Sequence, residues 1–224
     1  MRIYAEIYPS RNLKNVKENL QKLINFDGFN IPDNPLGYPT MPPELIGYMI
    51  REMFQHKEII MNQRLKDINE LKLRSIITAA KAIEAGIIFT QGDKPRFGNE
   101  FNDIGSIDAM KLAIRRGIES GVILSFRKPL NDIKKRMGAG ADIFLVVNFG
   151  DLEILNAVNT EKLIPYIIVK TEKNEEIIDK IHQPAVELNE LHTFLNKLKN
   201  HKFRGFLFSV PGDNETLIDI KEYI

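Results

Sequence analysis

Short, continuously apolar runs alternate along this chain with stretches in which an apolar residue recurs every three or four positions. Gly86–Phe89 reads Gly-Ile-Ile-Phe, which is typical of a strand buried on both faces. Leu13–Ile24 instead spaces its apolar residues as one stripe of a helix. The alternation predicts a regular succession of strands and helices.

The same pattern recurs over the whole chain, and Pro, Gly, Asn and Asp separate the segments. Eight strands are predicted, at Ile3–Tyr8, Asp27–Ile31, Glu58–Gln63, Gly86–Thr90, Gly121–Phe126, Asp142–Val147, Ile164–Val169 and Phe203–Ser209. Helices are predicted at Leu13–Ile24, Pro42–Phe54, Asn69–Ala85, Ser106–Ser120, Leu130–Gly138, Leu152–Leu155, Asn174–His182, Leu188–Asn200 and Glu215–Ile224.

Eight strand–helix units with apolar strands favour an α/β fold, a (β/α)8 TIM barrel with trimmed loops. The competing architecture is an open, doubly wound sheet. That sheet is disfavoured because no Gly-rich phosphate-binding turn follows the first strand. No linker, low-complexity tract or charge run divides the chain, so residues 1–224 are expected to form a single barrel domain.

Composition narrows the class of protein. With 31 basic and 30 acidic residues the net charge is +1, which offers no electrostatic case for nucleic acid or a membrane surface as the partner. There is no cysteine, which excludes disulfides and thiolate sites. Glu6 interrupts the start of the chain where a signal peptide needs apolar residues, and no apolar run is long enough to span a bilayer. We therefore expect a cytoplasmic protein.

Two acids are predicted at the carboxyl ends of the strands, which is where the active-site residues of TIM barrels lie. Glu6 lies within the apolar first strand, and Asp93 follows the fourth strand in the turn Gly92-Asp93-Lys94-Pro95. Other polar residues predicted at strand ends are Asn30, Asn62, Gln63, Arg64, Gln91, Ser125, Asn148 and Ser209. Acids among amides match the ring N–H groups and carbonyls of a pterin or flavin, and an acid with a raised pKa can donate a proton.

Each of these residues also has a purely structural interpretation. An acid inside a strand is costly unless it is used or paired, so Glu6 is either functional or part of a salt bridge. Asp93 and Asn148 also suit turns, and Lys134–Arg136 forms either a solvated helix face or a contact for a cofactor phosphate. No histidine pair has metal-ligand spacing, and no metal site is predicted.

Three segments, in order, resemble the methylenetetrahydrofolate reductase family. Tyr4–Arg11 (Tyr-Ala-Glu-Ile-Tyr-Pro-Ser-Arg) is similar to the family's first-strand Glu-Phe-Phe-Pro-Pro signature. Gly86–Pro95 is similar to its fourth-strand segment, which ends in Gly-Asp-x-Pro. Lys134–Asp142 is similar to its Lys-x-x-Ala-Gly-Ala-Asp stretch before the sixth strand.

The resemblance implies a flavin-containing barrel that reduces a methylene-tetrahydropterin, either folate or an archaeal analogue, to the methyl form. FAD is the cofactor implied, with NAD(P)H or another hydride donor. By position, Glu6 matches the general acid and Asp93 matches the aspartate that lies beside the flavin and the pterin. Residues expected to bind the cofactor are Asn30, Asn62, Gln91, Gly92, Asp93, Ser125, Phe126 and Arg136, and those expected to bind substrate are Tyr8, Asp93 and Asn148.

The chain departs from the family at positions near the cofactor. Ile60 replaces a histidine, Gln91 an arginine and Val146–Val147 a Thr-Gln pair, and the loop Arg127–Pro129 is very short. FMN, or no flavin, therefore stays open beside FAD. The alternatives to the reductase are a flavin-free pterin-binding methyl-transfer or carrier module, and an inactive paralogue. A homo-oligomer or a partner protein also stays open.

Overall fold

The computed structural model describes residues 2–8 and 12–224. Parallel strands form its centre, and the described residues contribute nine of them. They are β1 (Arg2–Glu6), β2 (Gly28–Ile31), β3 (Glu58–Arg64), β4 (Gly86–Thr90), β5 (Ser120–Ser125), β6 (Ile143–Val147), β7 (Leu163–Lys170), β8 (Ala185–Glu187) and β9 (Gly205–Ser209). All eight predicted strands are present, and β8 is an addition.

Eight of these strands close into a barrel. β1 to β7 pair in sequence order, and β9 lies between β7 and β1, so that every barrel strand has two parallel neighbours. β8 pairs only with Ile168–Lys170 of β7, beside the ring. The chain is a (β/α)8 TIM barrel, as the strand pattern predicted.

Helices follow the strands around the barrel. They are α1 (Leu13–Lys22), α2 (Pro43–Met53), α3 (Glu70–Ala82), α4 (Ser106–Arg115), α5 (Leu130–Met137), α6 (Glu175–Ile181), α7 (Leu191–Leu198) and α8 (Asn214–Asp219). Short 3-10 turns lie at Pro35–Gly37, Glu153–Ala157, Leu188–Glu190 and Ile220–Tyr223. In the part of the chain that the structure describes, no helix is long and apolar enough to cross a membrane.

Local chemistry explains where the helices begin and end. The Asn69 side chain accepts a hydrogen bond from the Lys72 N–H at 3.0 Å, the cap predicted for α3. The helix predicted to continue to Ser120 ends at Arg115, because Gly117 adopts φ +77° and turns the chain into β5. The predicted helix Leu188–Asn200 is wrong at its start, where a separate 3-10 turn precedes α7.

Side chains alternate between two apolar layers. Tyr4, Ile60, Ile88 and Leu207 belong to the cluster inside the barrel, whereas their neighbours Ala5, Phe89 and Phe208 pack in the layer between strands and helices. Because successive strand residues face opposite sides, Glu6 points inward like Tyr4. The sequence position of Glu6 therefore brings its carboxyl into the barrel.

Ion pairs close the amino-terminal end of the barrel. Arg204 Nη2 lies 2.5 Å from Glu58 Oε1 and 2.9 Å from Glu119 Oε1, and Arg2 Nη1 lies 2.6 Å from Glu58 Oε2. The Tyr4 hydroxyl donates to Glu58 Oε2 at 3.0 Å, and burial raises the pKa of Tyr4 to about 12. This end is occupied by structural contacts, which leaves the carboxyl end for ligands.

Candidate active site

A buried carboxyl lies at the carboxyl end of the barrel. Glu6, at the end of β1, is only 7% exposed. The Ser209 hydroxyl donates to Glu6 Oε2 at 2.6 Å, and the Tyr166 hydroxyl donates to the same oxygen at 2.8 Å. None of the salt bridges among the described residues involves Glu6. The salt-bridge interpretation of Glu6 therefore has no support, and its acid is held by hydroxyls.

Burial decides the protonation of Glu6. Removal from water raises the pKa of the Glu6 carboxyl, while the hydrogen bonds from Ser209, Tyr166 and Tyr8 act in the opposite direction. The Ser209 and Tyr166 hydroxyls both donate to Oε2, and the Tyr8 hydroxyl also interacts with the carboxyl. A carboxyl that keeps its proton in this way has the chemistry that a general acid needs.

Tyr8 extends the contacts of Glu6 towards the surface. Its hydroxyl lies 3.2 Å from Ser209 Oγ, and the residue is 37% exposed. Burial, and then the nearby charge of Glu6, raise the pKa values of the Tyr8 and Tyr166 hydroxyls well above their usual range. Both tyrosines therefore remain protonated hydrogen-bond donors.

Two amides lie beside the acid. Asn30 is aligned with Glu6 in the β1–β2 register and is 1% exposed. Its Nδ2 donates to Asn62 Oδ1 at 3.1 Å, and Asn62 Nδ2 donates back to Asn30 Oδ1 at 2.9 Å. The predicted site residues Asn30 and Asn62 are thus brought together, as a reciprocal amide pair on β2 and β3.

The turn that carries Asp93 is held by Arg64, at the end of β3. Arg64 is 3% exposed, forms an ion pair with Asp67, and donates from Nη2 to the Asp93 carbonyl oxygen at 2.6 Å. Gly92 adopts φ +78°, and a Cβ there would lie 3.0 Å from Arg64 Cγ. The backbone of Asp93 is fixed while its side chain is exposed, and Gln91 is half-buried beside it.

A second acid supports the same turn. Asp33 Oδ2 accepts from Gln63 Nε2 at 2.8 Å and from the Arg64 N–H at 3.1 Å. Burial raises the pKa of the Asp33 carboxyl to about 6. Asp33 lies in the Pro-rich loop after β2, where an acid is ordinary turn chemistry, so its sequence gave no sign of this role.

Across the mouth, Asn148 follows β6 in a left-handed conformation. Its φ is +55°, its Nδ2 donates to Ser125 Oγ at 3.0 Å, and its N–H donates to Gln183 Oε1 at 3.2 Å. The Oδ1 atom is buried and has no hydrogen-bond partner in the described protein. The buried Oδ1 is therefore an acceptor still open to a water or a ligand N–H.

One predicted cofactor residue, Phe126, is positioned differently from expectation, and the guanidinium of a second, Arg136, is partly engaged by protein groups. The prediction that Phe126 lines a flavin at the mouth is not supported, because Phe126 is 5% exposed and packs in the outer apolar layer, with its ring 5.6 Å from that of Phe149. As the residue after inward-facing Ser125, it faces the opposite side. Arg136 Nε donates to the Ile123 carbonyl at 2.7 Å and Nη2 donates to Ser106 Oγ at 3.0 Å.

A cleft of about 380 Å³ lies beside Arg136, between α4 and α5. Its lining includes Ser125, the cations Lys128, Lys135 and Arg136 and the acid Asp132, and burial lowers the pKa of Arg136. The salt bridges among the described residues involve none of these three cations. The cleft therefore has more basic than acidic side chains in its lining, and it reaches Ser125 at the end of β5.

The reasoning from sequence missed Tyr166 and the roles of Arg64 and Asp33. Tyr166 could have been found from the sequence, because it lies two residues after Ile164 on β7 and so faces the inside of the barrel as Ile164 does. Arg64 and Asp33 had none, since their partners lie about 30 residues away along the chain. Within the described ranges, no group of three or more His, Asp or Glu side chains is arranged to hold a metal ion.

Comparisons with known proteins establish the fold. No family model and no curated protein matches the chain. Among solved structures, a mutant tryptophan synthase alpha-subunit from the hyperthermophile Pyrococcus furiosus is similar, with a TM-score of 0.60 and 12% sequence identity. The match covers 99% of this chain and 92% of that chain. At this identity the likeness shows the architecture alone: the chain shares the TIM barrel of that enzyme.

Proposed function

We propose that this barrel reduces a methylene-tetrahydropterin to the methyl form, with Glu6 as the proton donor. The observation that carries the proposal is the buried Glu6 carboxyl, whose pKa is raised by burial and whose hydrogen bonds come from hydroxyls and not from a cation. The resemblance of three segments to methylenetetrahydrofolate reductases names the substrate class. The TIM-barrel fold is compatible with that chemistry and with many others.

The reaction has a proton step that suits Glu6. A methylene group that bridges two nitrogens becomes a methyl group when one C–N bond breaks, the released nitrogen gains a proton, and the carbon gains a hydride. Glu6 supplies the proton to the released nitrogen and becomes a carboxylate. The amides of Asn30 and Asn62, together with Asn148 Oδ1, offer acceptors and donors for the pterin ring.

The hydride carrier has a candidate position in the cleft between α4 and α5. Arg136, Lys128 and Lys135 would hold a phosphate there, and Ser125 would lie beside the ring system. A flavin bound at this position supplies hydride chemistry, as does a nicotinamide dinucleotide. A volume of about 380 Å³ suits FMN, or one half of FAD, better than a whole dinucleotide.

The proposal is tested first by the absorbance spectrum of the purified protein. We expect a flavin spectrum, or quenching of flavin fluorescence on titration with FMN or FAD, and weaker binding in Arg136→Met. A colourless protein that binds neither flavin nor NAD(P)H contradicts the reductase.

Glu6→Gln tests the chemical role. Because Gln keeps the acceptor for Ser209 and Tyr166 but carries no acidic proton, we expect turnover of a methylene-tetrahydropterin to fall by roughly 10²- to 10⁴-fold while pterin affinity is kept. Glu18→Gln, an exposed acid on α1, is the matched control. Equal turnover in wild type and Glu6→Gln would remove Glu6 from the mechanism.

A second candidate is a flavin-free module that binds a pterin for methyl transfer or carriage. Two residues predicted to bind the flavin favour this alternative. The Ser125 hydroxyl already accepts a hydrogen bond from Asn148, and Phe126 faces away from the mouth, so neither is placed to contact a flavin there. This module needs the amides and not the acid, so Glu6→Gln leaves its function intact. Binding of reduced pterin without flavin uptake would support it, and absence of both would indicate an inactive paralogue.

A further inference from the structure

A chain of hydroxyls leads from Glu6 to the surface of the barrel mouth. Ser209 Oγ lies 2.6 Å from Glu6 Oε2, and Tyr8 Oη lies 3.2 Å from Ser209 Oγ. Ser209 is fully buried, whereas Tyr8 is 37% exposed. The three residues belong to different parts of the chain: Glu6 ends β1, Tyr8 follows it, and Ser209 ends β9.

The hydrogen bonds in this chain have one direction. A serine hydroxyl carries a single hydrogen, and Ser209 donates it to Glu6 whenever Glu6 is a carboxylate, which can only accept. Tyr8 must therefore be the donor in its contact with Ser209. Every hydrogen in the chain consequently points from the surface towards the acid, which is the orientation that proton delivery requires.

We propose that the Tyr8 and Ser209 hydroxyls form the route by which Glu6 regains a proton from solvent. This inference rests on the proposed function only in that Glu6 loses a proton in each turnover. Ser209 passes its hydroxyl proton to Glu6 Oε2 and takes one from Tyr8, which takes one from a hydronium ion or a buffer acid. Only O–H bonds change, and one proton enters for each one that leaves.

Other groups around Glu6 do not offer an equivalent route. Tyr166, on β7, also donates to Oε2 and interacts with Ser209, but it is less exposed than Tyr8, so it holds the carboxyl without leading to solvent. Asn30 is bonded to Asn62, and amides do not exchange protons readily near neutral pH. The titratable groups that face Glu6 are Tyr8 and Tyr166, both kept protonated by their raised pKa values.

The route can be measured without any catalytic turnover. The infrared band of the protonated Glu6 carboxyl is identified by its loss in Glu6→Gln, and its shift after transfer to D2O reports proton exchange. We expect exchange to be slowed about tenfold or more in Tyr8→Phe and in Ser209→Ala. Tyr166→Phe should exchange like the wild type, and Ser209→Thr, which restores the hydroxyl, should recover the rate.

Turnover kinetics give a second, separate readout. With Glu6 already protonated, the first turnover of Ser209→Ala needs no relay, so its later turnovers should be slower than its first and should recover on addition of a small buffer acid. An inactive wild type would count against the reductase but leaves the infrared experiment intact. Equal exchange rates in wild type, Tyr8→Phe and Ser209→Ala would overturn the relay, as would the absence of a protonated Glu6 band.

Discussion

At the scale of single residues, the decisive feature is an acid that is buried without a cation. Glu6 is 7% exposed and receives its hydrogen bonds from hydroxyls. Removing a carboxylate from water is costly, so the neutral form is favoured in the folded state. Proteins seldom retain such a group unless its proton is used, which makes Glu6 the strongest functional candidate in the chain.

The raised pKa of Glu6 predicts a particular dependence of stability on pH. The folded state holds the Glu6 proton to higher pH than the unfolded state does, so stability is lost as pH rises through the folded-state pKa. Because Gln does not titrate, Glu6→Gln should lack this loss of stability at higher pH. Between about pH 4 and pH 8, the melting temperature of Glu6→Gln should increase relative to that of the wild type as pH rises. The melting temperature of Glu18→Gln should change with pH as that of the wild type does. The same pH dependence in Glu6→Gln and the wild type would show that burial does not raise the pKa of Glu6.

Gly92 offers a second prediction at this scale. Gly92 and Gly98 both have positive φ, but a Cβ at Gly92 would meet Arg64, whereas nothing lies within 4 Å at Gly98. Gly98→Ala should therefore cost about 1 kcal/mol of unfolding free energy for the backbone alone. Gly92→Ala should cost more, because Arg64 must also move away from the Asp93 carbonyl. Urea denaturation of both variants measures the difference, and equal losses would mean that Arg64 adapts freely.

At the scale of elements, the period of two in the strands determines which polar side chains meet. Asn30 and Asn62 share the inward face of β2 and β3 with Glu6, while Phe126 falls on the outward face after Ser125. The eight barrel strands were predictable because each is a continuous apolar run. β8 was not, because its three residues carry little pattern and are stabilised by pairing with β7.

The amide pair predicts a strong coupling between β2 and β3. Asn62→Leu leaves the buried Asn30 amide without its partner and should cost about 1–3 kcal/mol, and Asn30→Leu should cost a similar amount. The double variant removes both polar groups, so its loss should be well below the sum of the two single losses. A double-mutant cycle by urea denaturation measures the coupling, and additive losses would show that the pair contributes little.

At the scale of the whole molecule, the two ends of the barrel have different roles. The amino-terminal end is closed by Arg204 with Glu58 and Glu119, and the carboxyl end gathers Glu6, Asn148 and the turn at Asp93. This division follows the general rule for such barrels, in which stability contacts and ligand contacts lie at opposite ends.

Arg204→Met tests the division. It leaves Glu58 and Glu119 without their shared cation, and since Arg204 is 28% exposed the expected loss is about 2 kcal/mol, below that of a fully buried pair. Arg74→Met, which breaks an exposed pair on α3, should cost less than about 0.5 kcal/mol. Affinity for flavin or reduced pterin should be unchanged in both variants. A loss of affinity in Arg204→Met would show that the two ends are coupled.

The sequence by itself determined the barrel and the position of Glu6 and Asp93 at strand ends. It also determined that the Asn30 and Asn62 amides face the inside of the barrel. These follow from local rules, because apolar periodicity and chain order are properties of neighbouring residues. Only the tertiary structure decided the hydrogen-bond partners of each polar group. Ser209 and Tyr166 donate to Glu6, Arg64 donates to the Asp93 carbonyl, and Asn148 Oδ1 has no partner among the described residues. Those contacts join residues as far apart as 203 positions, and no local pattern carries information about which strands meet when a barrel closes.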